Sequence, residues 1–198
     1  MSLKIKVYSD YVCPFCIIAK KPFEEAIKGK DVEIEWMPFE LRPEGQPKLD
    51  PINDASKLYL WDKSIRPISK SLDMNLDIPK VSPHPYTNLA FEAFHFAKEY
   101  KKENEFNDRV FKAFFYESQD IGDMNVIAQL AYEVGLDKDL CLDALKNRKY
   151  KKIQQDYLEH AYNEEINVVP TFMIGDSRLE GVNSKEDFEY VINKEMNK

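Results

Sequence analysis

Two cysteines, separated by a proline and a phenylalanine, stand near the start of the chain between a strand-like and a helix-like segment. Leu3–Tyr8 alternates apolar residues with lysine, as a β-strand does, and Pro14–Lys28 carries apolar residues at helical spacing. This layout predicts that Cys13 lies at a helix N-terminus, where unpaired backbone N–H groups and the helix dipole favour a thiolate over a thiol. Cys16 follows one turn later on the same face. The pair can therefore close and open a disulfide, which indicates thiol–disulfide exchange.

A second strand signal follows this helix, and a long helical region comes after it. Val32–Met37 alternates apolar and acidic residues, so it predicts a strand that runs parallel to the first in a right-handed βαβ unit. From about residue 53 to residue 165 the spacing of apolar residues is helical, which predicts five or so helices. One of them is expected to begin after Asp123, a typical N-cap, and to end at Gly135.

Strand signals return near the end of the chain. Thr171–Ile174 and Arg178–Glu180 are expected to form a hairpin, and Ser184–Asp187 resembles a capping box at the start of a terminal helix. The order β-α-β, helices, β-β-α predicts an α/β protein with a thioredoxin fold and a large inserted all-helical domain. The predicted domains are a thioredoxin-like domain, residues 1–40 plus 165–198, and an inserted α-helical domain, residues 41–164.

Charge and hydropathy argue against two classes of function. The 198 residues carry a net charge of −7, whereas a nucleic-acid-binding protein needs a basic face. No apolar run approaches the ~20 residues of a membrane span, and no N-terminal stretch has the apolar length of a secretory signal. We therefore expect neither nucleic acid nor membrane as a partner, and a cytoplasmic location, where disulfides are usually catalytic or transient. The oligomeric state is not predictable from these features.

Four sequence motifs, spread in order over nearly the whole chain, resemble the DsbA-like branch of the thioredoxin superfamily. The resemblance is strongest to FrnE-type proteins, which are relatives of 2-hydroxychromene-2-carboxylate isomerases and kappa-class glutathione transferases. A lone pair of cysteines at this spacing would be weak evidence, whereas the same pair followed about 150 residues later by Val-Pro-Thr is specific. The four motifs are Asp10–Cys16, Trp36–Leu41, the run from Phe114 through Asp120–Asp123 to Leu136, and Val169–Phe172.

The resemblance implies a function and a set of site residues. Cys13, which is expected to be the more exposed of the two, would be the nucleophile and Cys16 the resolving cysteine of a disulfide oxidoreductase acting on protein or small-thiol substrates. A cis peptide bond at Val169–Pro170 would face the dithiol and leave the backbone of Val169 free to pair with an extended substrate. Pro14 and Phe15 would complete the substrate-binding residues. No metal or organic cofactor is implied, although glutathione could serve as a redox partner.

Two positions depart from better-known members of the superfamily. Phe15 stands where strongly oxidising relatives carry a histidine that stabilises the thiolate, so we expect a less oxidising dithiol here. Many thioredoxins have a buried acid at the position of Val7. The nearest acid in this chain is Asp10, which is a candidate proton acceptor for Cys16 or, alternatively, a turn residue that bonds backbone N–H groups.

Other interpretations of the cysteine pair remain open. Half of a zinc site is one, but the chain has only one further cysteine, Cys141, and three histidines, with no second Cys-x-x-Cys. A glutathione-dependent isomerase or transferase on the same fold is the main alternative function, although those relatives typically carry serine at the first cysteine position. A non-enzymatic binding or holdase module, with the helices as an apolar clamp, is the alternative from another class.

Two residues outside the motifs have side chains capable of chemistry. Cys141 shares an apolar helix face with leucine and alanine, which predicts a buried structural thiol. His84 lies between two prolines in a loop, which favours a surface histidine over one that overhangs the dithiol. The sequence alone does not decide whether either has a functional role.

Overall fold

The computed structural model describes residues 2–198 and places a four-stranded sheet beside a group of helices. The strands are β1 (Leu3–Ser9), β2 (Val32–Pro38), β3 (Thr171–Ile174) and β4 (Ser177–Glu180). The helices are α1 (Pro14–Ile27), α2 (Ala55–Leu60), α3 (Arg66–Ser71), α4 (Asn88–Glu99), α5 (Glu103–Phe115), α6 (Met124–Glu133), α7 (Lys138–Lys146), α8 (Lys151–Asn163) and α9 (Lys185–Met196), and a π-helical turn (Trp61–Ile65) joins α2 to α3.

The sheet has the strand order β2-β1-β3-β4. β1 and β2 are parallel, with Leu3 beside Val32, and α1 connects them, which confirms the predicted βαβ unit. β3 pairs antiparallel with both β1 and β4, so the predicted hairpin is also confirmed. The helices between β2 and β3 complete the arrangement that the order of sequence signals predicts.

Alternation along the strands separates the two faces of the sheet. Phe172 of β3 lies beside Val7 of β1 and packs between Phe23 of α1 and Phe188 of α9, with ring centroids 5.0 Å and 4.7 Å away. On the opposite face, the Tyr8 hydroxyl lies 3.3 Å from the Nε2 atom of a histidine in α8. The sheet is therefore covered by α1 and α9 on one face and by α8 on the other.

Local signals set both ends of α6 and the start of α9 where the sequence predicts them. The Asp123 carboxylate accepts hydrogen bonds from two backbone N–H groups of the first turn of α6, and Gly135 follows the end of that helix with φ +87°. At the start of α9, Ser184 and Asp187 form the predicted capping box. The prediction of about five helices between the strands is too low, because α2 and α3 are only 6 residues long and show no extended periodicity.

Buried apolar side chains run without a break from the sheet into the helical region. Ile5 of β1 and Phe114 of α5 belong to the same contiguous core. α4 packs against α5, α6, α7 and α8, and is therefore the central helix of this region. The division into domains at residues 40 and 165 remains a prediction. Within residues 2–198, no helix is long and apolar enough to cross a membrane.

Candidate active site

The two cysteines lie where β1 ends and α1 begins. Cys13 is the N-cap residue of α1, with extended backbone angles of φ −86° and ψ 113°, and Pro14 occupies the first helical position. Proline is well suited to this position, since it has no N–H group to leave unpaired and its φ already fits the helix. The backbone N–H of Cys16 donates to the Cys13 carbonyl over 3.1 Å. Both cysteines are free thiols.

The second half of the site comes from the loop that enters β3, about 155 residues later in the chain. The Val169–Pro170 peptide bond is cis. The Cys13 thiol donates a hydrogen bond to the Val169 carbonyl over 3.5 Å. The Thr171 hydroxyl donates to the Val168 carbonyl over 2.7 Å and holds the turn of this loop. The fold therefore brings Cys13 and Val169 together, as the resemblance implies.

A pocket of about 270 Å³ opens beside the first cysteine. Of the predicted site residues, Cys13, Pro14, Phe15 and Val169 line it, whereas Cys16, Pro170 and Asp10 do not. The other walls come from the loop after β2, from α2 and the π-helical turn, and from the loop before α4. The residues of these walls include Leu41, Leu49, Lys57, Trp61, Ile65 and His84.

Burial does not distinguish the two thiols. Cys13 is 3% exposed and Cys16 is 4% exposed, so the expectation that Cys13 is the more exposed of the two is wrong. The difference between them lies in position, since Cys13 lines the pocket and Cys16 lies behind it. Burial, together with the neighbouring Cys13 thiol, raises the pKa of Cys16 well above its usual value. Cys16 is therefore held as a thiol in the reduced protein.

Asp10 is fully buried beneath the site and bonds backbone groups. Its Oδ2 atom accepts from the Leu41 N–H over 2.7 Å, and Oδ1 accepts from the Val12 N–H over 3.4 Å. Burial raises the pKa of this carboxyl to about 6, although these hydrogen bonds oppose the rise. The carboxyl thus ties the loop after β2 to the loop that carries the cysteines. The Asp10 group that interacts with the Cys16 thiol is its backbone and not its carboxyl. The role of the Asp10 carboxyl as proton acceptor for Cys16 therefore stays a prediction.

A second buried carboxyl, Glu40, continues this polar layer. Its Oε1 atom accepts from the Gln154 side chain over 2.8 Å, and the Gln154 oxygen lies 3.0 Å from Nε2 of His95. Burial raises the pKa of Glu40 to about 7, and the negative charge of Asp10 adds to the rise. Burial lowers the pKa of His95 to about 4, so the imidazole is neutral near pH 7. The sequence offers no periodic signal for this layer, because its members come from distant segments.

Glu40→Gln should raise the free energy of unfolding above neutral pH. In the folded protein this carboxyl ionises near pH 7 and in the unfolded chain near pH 4.5, so its stabilising contribution is complete below pH 4.5 and is lost as the pH rises through 7. Glutamine removes the ionisation and keeps an oxygen for Gln154. The gain should therefore grow from about pH 4.5 and level off above pH 7, at no more than ~3.5 kcal/mol, given ~1.4 kcal/mol for each pH unit between the two pKa values.

Urea unfolding between pH 4 and pH 9 measures this difference. Glu33→Gln is the matched control, because Glu33 is exposed on β2 and its replacement should have a small effect that hardly changes with pH. A gain for Glu40→Gln that stays constant over the whole range would contradict the pKa assigned to this carboxyl.

The remaining candidates differ in how well the sequence predicts them. Cys141 is fully buried, as expected, and burial raises the pKa of its thiol to about 12, which makes it unreactive near pH 7. His84 is 3% exposed, so the expectation of a surface histidine is wrong. The loop lies under neighbouring segments, and Phe114 packs against the imidazole ring.

Within residues 2–198, no group of three or more metal-ligating side chains is arranged to hold a metal ion.

Comparisons with known proteins agree with this geometry. The family model of the DSBA-like thioredoxin domain matches residues 4–193. The chain is 57% identical over 199 residues to the uncharacterized protein YwbO of Bacillus subtilis (strain 168), with 100% of both chains covered.

Solved structures share the fold at low sequence identity. The probable DsbA oxidoreductase SCO1869 from Streptomyces coelicolor superposes with a TM-score of 0.81 at 18% identity, covering 99% of this chain and 91% of that one. A 2-hydroxychromene-2-carboxylate isomerase gives 0.73 at 14%, with 98% and 94% covered. The cytosolic disulfide reductase DsbM from Pseudomonas aeruginosa, solved with GSH, gives 0.72 at 13%, with 99% and 100% covered. The match over almost the entire length establishes that this chain belongs to the DSBA-like thioredoxin domain family.

Proposed function

We propose that this protein is a thiol–disulfide oxidoreductase that exchanges disulfides with protein or small-thiol substrates through Cys13 and Cys16. The observation that carries the proposal is the position of Cys13, which caps α1, lines an apolar pocket and faces the Val169 carbonyl. At this place the Cys13 sulfur can attack a substrate disulfide that enters the pocket. Membership of a family with disulfide oxidoreductases among its structural neighbours supports the same class of reaction.

In the reducing direction the reaction has two balanced steps. The Cys13 thiolate attacks one sulfur of a substrate disulfide, forms a mixed disulfide with it and releases the other sulfur as a thiolate. Cys16, once deprotonated, attacks the Cys13 sulfur, forms the Cys13–Cys16 disulfide and releases the second substrate thiolate. The protein dithiol loses two electrons and two protons, and the substrate disulfide gains them. The reverse sequence oxidises a substrate dithiol.

Regeneration of the dithiol needs two thiol equivalents, for which a low-molecular-weight thiol such as glutathione is a suitable class. The structure of DsbM with GSH supports this choice, and its description as a cytosolic enzyme supports a cytoplasmic location for this protein. No resident cofactor is needed for either step.

The surroundings of the pocket suit an extended, partly apolar substrate. Within residues 2–198, the backbone N–H of Val169 has no protein acceptor, so this residue can pair with an added strand. Leu58, Tyr59 and Leu60 of α2 and Val168 are exposed apolar residues, and Leu60 and Val168 also line the pocket. These exposed apolar residues can pack against apolar residues that flank a substrate cysteine.

Equilibration with glutathione redox buffers tests the proposal directly. We expect the Cys13–Cys16 pair to interconvert fully between dithiol and disulfide, with a midpoint less oxidising than that of relatives carrying histidine at the position of Phe15. Thiol alkylation followed by mass spectrometry gives the two populations, and insulin reduction and refolding of scrambled protein give the direction of catalysis. A pair that stays reduced and unreactive in every buffer would defeat the proposed function.

A further inference from the structure

His84 lines the pocket beside Cys13, and neither step of the proposed exchange reaction uses it. The residue is buried, and within residues 2–198 neither ring nitrogen has a hydrogen-bond partner. A buried polar atom without a partner costs about 1–3 kcal/mol, a cost that an apolar side chain in the same place would avoid. The imidazole therefore destabilises the fold slightly, and its polar atoms have no structural use in the protein itself.

The surrounding residues hold the His84 ring in place but form no hydrogen bond with its nitrogen atoms. The backbone N–H of His84 donates to the Leu49 carbonyl over 2.7 Å, which anchors the loop. The ring packs edge-on against Phe114, with centroids 4.9 Å apart and an interplanar angle of 86°. Neighbouring prolines at positions 83 and 85 restrict the backbone on both sides. The side chain is therefore preorganised at the pocket wall rather than free to turn toward solvent.

The charge state of the ring limits what it can recognise. Burial lowers the pKa of His84 to about 4, and the opposing influence of the Asp50 carboxylate is smaller. The imidazole is therefore neutral near pH 7 and carries one donor and one acceptor. Leu41, Leu49, Trp61 and Ile65 make the nearby walls apolar, so a charged group at this depth would lose its hydration. Among the residues that line the pocket, Lys57 alone carries a charge.

We propose that His84 is a specificity-determining residue, which hydrogen-bonds a neutral polar atom on an apolar side chain that accompanies the substrate sulfur into the pocket. The inference rests on the proposed disulfide exchange and names the class of substrate for that site. A pocket of about 270 Å³ lies just below the ~300–1,000 Å³ typical of small-molecule sites, so it suits a single aromatic side chain. Tyrosine next to the reactive cysteine has both the apolar body and the neutral hydroxyl.

Two pairs of peptides that differ only in one hydroxyl test this inference. Acetylated, amidated Cys-Tyr and Cys-Phe, and the reversed Tyr-Cys and Phe-Cys, are each joined by a disulfide to 5-thio-2-nitrobenzoate, whose release is followed by absorbance. We expect the reduced wild-type protein to react with the tyrosine peptide at least about fivefold faster than with its phenylalanine partner in one of the two orders, since one buried hydrogen bond is worth that factor or more. Equal rates within both pairs would overturn the proposal without any variant.

Variants at position 84 separate recognition from a structural effect. His84→Leu should bring the ratio of the tyrosine rate to the phenylalanine rate down to about one, because the hydrogen bond to the hydroxyl is lost. His84→Asn places an amide near the position of Nδ1 and His84→Gln places one near Nε2, so one of them should restore the preference. A preference that His84→Leu leaves unchanged would show that another group reads the hydroxyl.

The symmetrical reagent 5,5′-dithiobis(2-nitrobenzoate), which has no side chain to recognise, distinguishes the two proposals. The rate of each variant with this reagent measures any general change in the reactivity of Cys13, and the peptide rates of that variant are compared with it. If the wild-type protein fails to react with this reagent, disulfide exchange itself is wrong. If it reacts normally but does not distinguish tyrosine from phenylalanine, only the role of His84 is wrong.

Discussion

Replacing Cys13 by serine is expected to lower disulfide exchange by at least about 1,000-fold, because a serine hydroxyl cannot form the mixed disulfide on which both steps depend. The side chain lines the pocket and faces Val169, so no other thiol can take its place. Cys16 lies behind it, and the thiol of Cys141 is fully buried with a pKa of about 12. The rate of insulin reduction with a glutathione or dithiothreitol supply measures the loss.

Cys141→Ala is the matched control for this loss. It removes a thiol from the same chain at a buried position that the reaction does not use, and activity should stay within about twofold of wild type. Far-ultraviolet circular dichroism of both variants shows whether the fold is kept. Should activity survive in Cys13→Ser, the dithiol mechanism would be wrong, and a glutathione-dependent isomerase or transferase on this fold would become the better explanation.

Replacing Cys16 by alanine is expected to stop the reaction half-way rather than prevent it. Cys13 can still attack the substrate disulfide, but the resolving thiol is missing, so the mixed disulfide accumulates. Turnover should fall at least about 100-fold, because release then depends on attack by an external thiol. The alanine is small enough to fit the space behind Cys13, which is buried in the wild-type protein.

Intact-protein mass spectrometry after addition of a disulfide peptide should find one peptide per protein molecule in Cys16→Ala. Dithiothreitol should remove it, and Cys13→Ser should carry none. This pair of results assigns the attacking and the resolving role separately. If the mixed disulfide instead forms in Cys13→Ser, the two roles are exchanged, and the pocket-lining position of Cys13 is not what selects the nucleophile.

Much of the fold can be predicted from the sequence because its signals are local. The alternation in β1 and β2, the proline at the first position of α1 and the capping box at Ser184 each depend on residues within one or two turns. The hairpin of β3 and β4 follows from a short apolar run and a turn at Gly175. The short helices α2 and α3 were not predicted as separate helices, because six residues do not display a period.

The pocket could not be predicted, because its walls meet only in the folded chain. Leu41 follows β2, Trp61 begins the π-helical turn, and Val169 precedes β3, and no spacing in the sequence relates them. The burial of His84 could not be predicted for the same reason. Its place between two prolines is typical of a surface loop, and its burial depends on Phe114, which is 30 residues further along the chain.

The sequence by itself predicts the proposed chemistry, since two cysteines at helical spacing after a strand favour disulfide exchange. The tertiary structure decides the environment in which the two cysteines react. Both thiols are equally buried, and only the packing of distant segments makes Cys13 line the pocket while Cys16 lies behind it. Burial likewise raises the pKa of Asp10 and Glu40 and keeps His84 neutral. These effects depend on exclusion of water, which is a property of the packed chain and of no single segment.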